Sequence, residues 1–186
     1  FVTLRQLLTR FVSVCQAMHY AHSRGVIHRD LKPDNIMLGD YGETLVVDWG
    51  LAKPLGVEGM EAATGLDRPV MPQRSGSSET LDGSAVGTPE YMSPEQAAGR
   101  LDKIGAATDV YALGATLYCL LTGQPPFDRK NQTDIFQAIM RGQIVAARQI
   151  WSSIPRALDS ICLKAMRQDP AERYASPREL ADDIER

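Results

Sequence analysis

Asp30, Lys32, Asn35 and Asp48 are the residues of this chain whose types and spacing could do chemistry. Three sit in the run His28-Arg29-Asp30-Leu31-Lys32-Pro33-Asp34-Asn35, and Asp48-Trp49-Gly50 follows thirteen residues after Asn35. Two carboxylates and a carboxamide offer hard oxygen ligands of the kind Mg²⁺ prefers. An ammonium beside them can balance a phosphate while a carboxylate orients a hydroxyl. Between the two runs lie Ile36-Met37-Leu38, a turn at Gly39-Asp40-Tyr41-Gly42, and Thr44-Leu45-Val46-Val47. Two short apolar runs around a Gly/Asp turn predict a hairpin, which brings Asp30, Asn35 and Asp48 to one end. Turn and capping chemistry alone could explain Asp30 and Asn35, but it leaves Lys32 and Asp48 without a reason.

Helices must position this stretch. Thr3-Leu4-Arg5-Gln6 reads as a capping box, and Leu4, Leu7, Leu8, Phe11, Val14, Cys15, Met18 and Ala21 recur at helical spacing until Gly25. His19 and His22 are three apart on that helix, but no third ligand is near in sequence, so they read as a packed and a solvated histidine. Val26-Ile27 predicts a short strand leading into the loop. Thr108 reads as the N-cap of a helix from Asp109 through Leu121, stopped by Gly123. That helix is apolar nearly all round and is expected to be buried on every side. Asp109 at its start then needs partners. Shorter helices are expected over 133–141 and 155–167, and Ser176-Pro177-Arg178-Glu179 reads as a capping box opening the last one.

A chain of 186 residues can bury a full core as one domain, and 44% hydrophobic content is ordinary for a globular protein. A net charge of −3 argues against nucleic-acid binding, which wants a basic face. Cys15, Cys119 and Cys162 form no CxxC pair and read as buried thiols of a reducing compartment, which predicts a cytoplasmic location. The longest near-apolar run, 110–121, is too short to span a bilayer, and no signal peptide opens the chain. A membrane anchor elsewhere in a longer protein remains compatible with this.

The complete H-R-D-L-x-x-x-N string, with Asp48-Trp49-Gly50 where Asp-Phe-Gly is usual, resembles the catalytic loop of the protein kinase family. The resemblance implies Asp30 as the base, Lys32 against the phosphoryl oxygens, and Asn35 and Asp48 holding Mg²⁺ for ATP. Base catalysis of this kind contributes about 10²–10⁴-fold. Lys32 favours serine/threonine substrates. The resemblance makes His28 a packing residue and Arg29 the partner of a phosphorylated activation segment. Trp49 keeps an aromatic wedge but adds an N–H that wants a partner. Residues 54–85 hold five glycines, three prolines and no aromatic residue, and fall where kinases carry the activation segment. They read as a flexible insert with Thr80 and Ser84, and more weakly Ser77 and Ser78, as phosphorylation candidates facing Arg29. Asp82 supplies part of the negative charge, and a plain solvated insert is the other reading. Gly87-Thr88-Pro89-Glu90-Tyr91-Met92-Ser93-Pro94-Glu95 resembles the end of that segment. Thr88 is expected to hydrogen-bond Asp30 and Lys32, Arg173 to pair with Glu95, and Asp109 to accept backbone amides of the catalytic loop. Ser93-Pro94-Glu95-Gln96 is also a capping box with Pro at the first helical position.

The resemblance covers essentially the whole chain, and the overall run is most similar to bacterial eukaryotic-like serine/threonine kinases. Yet the sequence has no Gly-rich phosphate loop and no Val-Ala-Ile-Lys strand. The implied fold is mainly α with short β-hairpins: the carboxy-terminal lobe of a kinase (1–186), with the amino-terminal lobe absent and expected as a partner from the same longer protein. Two functions follow. One is an enzyme that transfers the ATP γ-phosphate to Ser/Thr hydroxyls of protein substrates. The other is a non-catalytic, pseudokinase-like or scaffold lobe, inactive by itself. An exposed nucleotide-facing surface would also make the isolated lobe marginally soluble.

Overall fold

The computed structural model describes residues 3–39, 41–54, 87–127 and 132–186. Asp40, Ser77, Ser78, Thr80, Asp82 and Ser84 lie outside the described residues. In chain order the elements are α1 (Leu4–Ser23), β1 (Val26–Ile27), β2 (Ile36–Leu38), β3 (Thr44–Val46), β4 (Lys53–Pro54), α2 (Pro94–Ala97), α3 (Ala106–Thr122), α4 (Gln132–Met140), α5 (Ala147–Ile150), α6 (Arg156–Ala165) and α7 (Pro177–Glu185). The described fold is mainly α. Of its two antiparallel strand pairs one is a hairpin, β2 with β3, in the register Ile36↔Val46, Met37↔Leu45 and Leu38↔Thr44. The other joins β1 to β4 through Val26↔Pro54 and Ile27↔Lys53, a pairing that periodicity did not reveal.

Helix α1 starts where its cap dictates. Thr3 Oγ1 accepts the Gln6 N–H at 3.3 Å and Gln6 Oε1 accepts the Thr3 N–H at 2.8 Å. Its buried stripe of Phe11, Val14, Cys15 and Met18 faces the core, and α1 packs against α7. Helix α3 is the centre of the fold: every residue from Thr108 to Tyr118 is buried. Burial at that density leaves no room for side chains where another helix crosses closely. At Gly114 a Cβ would come within 2.6 Å of Ala165 Cβ and 3.0 Å of Met166 Cγ, so glycine is what lets α6 approach α3.

Several element ends differ from expectation. Helix α3 begins at Ala106, not Asp109, and Thr108 is its third residue, not its cap. The hydroxyl reaches back instead: Thr108 Oγ1 accepts the Gly105 N–H at 3.2 Å and donates to Glu95 Oε1 at 2.9 Å. Gly105 has no side chain to cap with, so the hydroxyl one turn later does that work. Helix α6 runs over Arg156–Ala165, shorter than 155–167 at both ends, with Pro155 as its N-cap and Met166 as its C-cap. At α7, Ser176 Oγ accepts the Glu179 N–H, but Glu179 Oε2 reaches the Ala175 N–H, so the box closes one residue early. Cys15 and Cys162 are buried and burial pushes both thiols up, whereas Cys119 is only half-buried and takes the Tyr91 hydroxyl at 3.6 Å.

A buried ion pair ties α2 to the chain before α7. Arg173 Nη1 and Nη2 donate to Glu95 Oε1 and Oε2, each at 2.8 Å, and the two residues are 5% and 4% exposed. The remaining guanidinium N–H groups go to the carbonyls of Arg167 (2.8 Å), Ala107 (2.8 Å) and Gln168 (3.2 Å). All five donors are therefore used, the condition under which a buried pair is tolerated. Burial by itself would raise the Glu95 carboxyl. The two bonds and the charge of Arg173, with Thr108 adding a third bond, hold it below its ordinary value instead.

Two predictions follow from this packing. Gly114→Ala gains about 1 kcal/mol of helix propensity, but a Cβ forced to 2.6 Å of Ala165 overpacks the crossing by about 1–3 kcal/mol. The variant should melt lower than the parent; a higher melting temperature would contradict the packing. Glu95→Gln leaves a buried guanidinium without its counter-charge and should cost about 3–5 kcal/mol near neutral pH. Because the folded carboxyl titrates below its ordinary 4.5, the advantage of the parent is full above that pH. It shrinks as pH falls through the lowered folded value. Denaturant titrations of both proteins across this range check the sign.

Candidate active site

The site is built outward from α3. Asp109 is fully buried, and its carboxylate takes three N–H groups. Oδ1 accepts the Arg29 amide at 2.9 Å; Oδ2 accepts the His28 amide at 2.9 Å and lies 2.8 Å from His22 Nε2. A carboxylate only accepts, so His22 carries its proton on Nε2 there. His22 is therefore neither a plain packing histidine nor a solvated one. Its partner is 87 residues away in sequence, and no local pattern announces the contact.

His28 is buried beside it. Its Nε2 lies 3.0 Å from the Val47 carbonyl, and its Nδ1 accepts the Asp30 amide at 3.3 Å. The Trp49 ring tilts against it, 4.7 Å between centroids, and Trp49 Nε1 donates to the Val46 carbonyl at 2.9 Å. The extra N–H that tryptophan brings to this position is thus answered locally.

Asp30, Lys32, Asn35 and Thr88 meet in one cluster. Thr88 donates its amide (2.8 Å) and hydroxyl (2.9 Å) to Asp30 Oδ1. Lys32 Nζ donates to Thr88 Oγ1 at 2.6 Å and lies 3.1 Å from Asp30 Oδ2. Asn35 Nδ2 donates to the Asp30 carbonyl at 2.8 Å and reaches Asp30 Oδ2 at 3.4 Å. Asp30 is thereby fixed by donors on both oxygens.

Asp48 enters from the other strand. The Val47 amide donates to the Asn35 carbonyl at 2.9 Å, which extends the hairpin register and sets Asp48 one residue beyond that bond. Asp48 adopts φ 59° and ψ 61°, and its carboxylate is exposed. Among the described residues only Arg29 (φ 74°) and Asp48 are non-glycines with positive φ. Such conformations cost about 1–3 kcal/mol each and persist only where surroundings impose them. At Arg29 the imposing groups are visible: Asp109 holds its N–H, and Gln96 Nε2 donates to its carbonyl at 2.7 Å. The Ser93–Gln96 capping pattern gives no sign of this contact. The Arg29 guanidinium is half-buried, with one long bond to the Leu51 carbonyl (3.5 Å) and Nε unpartnered. Burial lowers its proton affinity, and the charge of Asp109 works against that shift.

The oxygen donors suit Mg²⁺. Asn35 Nδ2 is spent on Asp30, which leaves the amide oxygen as the group to offer, and Asp48 adds an exposed carboxylate. Among the described residues no three His, Cys, Asp or Glu side chains form a metal cage. Two oxygen ligands fit an ion that keeps waters and takes the rest of its shell from phosphates.

Among the described residues no helix is long and apolar enough to cross a membrane. The chain is 41% identical over 180 residues to serine/threonine-protein kinase PknD of Chlamydia felis, an alignment covering 96% of this chain and 18% of that protein. It is 40% identical over 182 residues to PknD of Chlamydia pneumoniae (96% and 19%), and 40% identical over 183 residues to PknD of Protochlamydia amoebophila (96% and 18%). The chain thus spans about a fifth of the length of these curated relatives. The protein kinase domain family matches residues 2–183. On that match, and on these relatives, the chain belongs to the protein kinase family.

Proposed function

We propose that this chain supplies the catalytic loop of a serine/threonine protein kinase, transferring the ATP γ-phosphate to Ser or Thr hydroxyls of protein substrates. The observation that carries the reading is the Lys32 ammonium bridging Asp30 Oδ2 and Thr88 Oγ1 beside the Asn35 amide. Asp30 orients the acceptor hydroxyl and takes its proton late. Lys32 balances charge on the phosphoryl oxygens. The Asn35 amide oxygen and the Asp48 carboxylate would hold Mg²⁺, which when bound supplies positive charge across the phosphate oxygens. Met37 and Leu45, paired across the hairpin and 57% and 58% exposed, offer an apolar surface next to these ligands for the nucleotide base. Lys32 and Thr88 favour Ser/Thr over Tyr acceptors. The half-buried Arg29, with donors to spare, suits a phosphate carried by the segment that contains Thr80 and Ser84.

On this reading the chain acts as the carboxy-terminal lobe of a kinase, and the companion lobe that clamps the nucleotide would belong to a longer protein. Positioning supplies most of phosphoryl-transfer catalysis, and this sequence contains no Gly-rich loop. The 186 residues by themselves should therefore transfer phosphate poorly or not at all, acting at most as a binding or scaffold lobe.

In the full-length protein, Asp30→Asn should lower kcat by about 10²–10⁴-fold. Asp48→Ala should abolish transfer at Mg²⁺ levels that saturate the parent. Radiolabel transfer to a Ser/Thr peptide checks both, and a variant as fast as the parent would overturn the assignment of that residue.

A further inference from the structure

Gln96 is the third residue of α2 and 3% exposed. Its Oε1 accepts the Ser93 amide (3.2 Å) and hydroxyl (3.3 Å), closing the capping box. Its Nε2 points the other way and donates to the Arg29 carbonyl at 2.7 Å. A capping box is served equally well by Glu or Gln at this position. Only Gln also has N–H groups to give. The contact with the Arg29 carbonyl thus uses a donor that Gln brings and Glu does not.

That contact falls at a sensitive place. Arg29 holds a left-handed conformation immediately before Asp30. Its N–H is taken by Asp109 from α3 and its C=O by Gln96 from α2, so the residue is clamped at both ends. The Arg29 carbonyl and the Asp30 amide share one rigid peptide plane. Rotation of that plane swings Asp30 directly. Gly87 closes over the contact: a Cβ there would sit 3.2 Å from the Arg29 oxygen and 3.5 Å from Gln96 Nε2.

We propose that Gln96 is a positioning residue for phosphoryl transfer. By holding the Arg29–Asp30 peptide it keeps the Asp30 carboxylate on Thr88 and on the incoming hydroxyl. The inference rests on the reading of Asp30 as the base.

The test compares Gln96→Glu, which keeps the capping box and the side-chain size but removes the donor, with Ser93→Ala, which removes the capping hydroxyl and keeps the donor. In the full-length protein, Gln96→Glu should lower kcat by about tenfold or more with KM for ATP changed less than about twofold. Ser93→Ala should lower the melting temperature and leave kcat within about twofold. In amide NMR spectra of the 186-residue chain, Gln96→Glu should shift the resonances of Asp30 and Leu31, and Ser93→Ala should not. A Gln96→Glu protein with kcat within about twofold of the parent, unmoved Asp30 and Leu31 resonances, or an equal kcat loss in Ser93→Ala would each overturn the proposal. If the full-length parent transfers no phosphate, the functional reading fails by itself. The Asp30 and Leu31 resonances then decide whether Gln96 holds the peptide.

Discussion

A single carboxylate, sealed at the start of a buried helix, fixes the geometry of the whole site. Asp109 has no water to solvate it, so it must be met by N–H groups. It takes two consecutive backbone amides, those of His28 and Arg29, together with His22. Backbone donors cannot move without moving the chain. The requirement to satisfy one buried charge thus becomes a constraint on where Asp30 begins. The helix that carries Asp109 is equally constrained, buried from Thr108 to Tyr118 and pressed against α6 at Gly114.

Three consecutive residues at the head of α3 serve two polar networks. The Ala107 carbonyl accepts from Arg173, the Thr108 hydroxyl donates to Glu95, and Asp109 holds the loop. Glu95 and Gln96, adjacent in α2, divide in the same way. Glu95 faces the Arg173 pair and Gln96 faces the Arg29 carbonyl. These five residues therefore lock the Ser93–Gln96 turn, the loop that carries Asp30 and the chain around Arg173 to one another. Charge-assisted bonds with no unsatisfied donor at Arg173 make that lock stiff.

Much of this could be read from the chain before any coordinates. The Thr3 and Ser93 caps, the α1 stripe and the hairpin between Asn35 and Asp48 are local, and local patterns carry them. What could not be read is non-local or ambiguous. A threonine before an apolar run looks like an N-cap, yet Thr108 sits inside the helix because its hydroxyl can reach back to Gly105. The β1–β4 pair joins two-residue strands too short for any periodicity. The contact from Gln96 to Arg29 spans 67 residues and uses a backbone carbonyl, which no side-chain motif records. The left-handed turn at Arg29 is imposed by tertiary partners that no local pattern records.

The dependence on Asp109 is open to direct measurement by amide hydrogen exchange. In the parent chain the His28 and Arg29 amides should exchange about as slowly as Leu117 in the middle of α3, because only global opening releases them. In Asp109→Asn, whose amide cannot accept all three donors, the Arg29 amide should exchange at least about tenfold faster relative to Leu117. An Arg29-to-Leu117 rate ratio that is the same in both proteins would contradict the account.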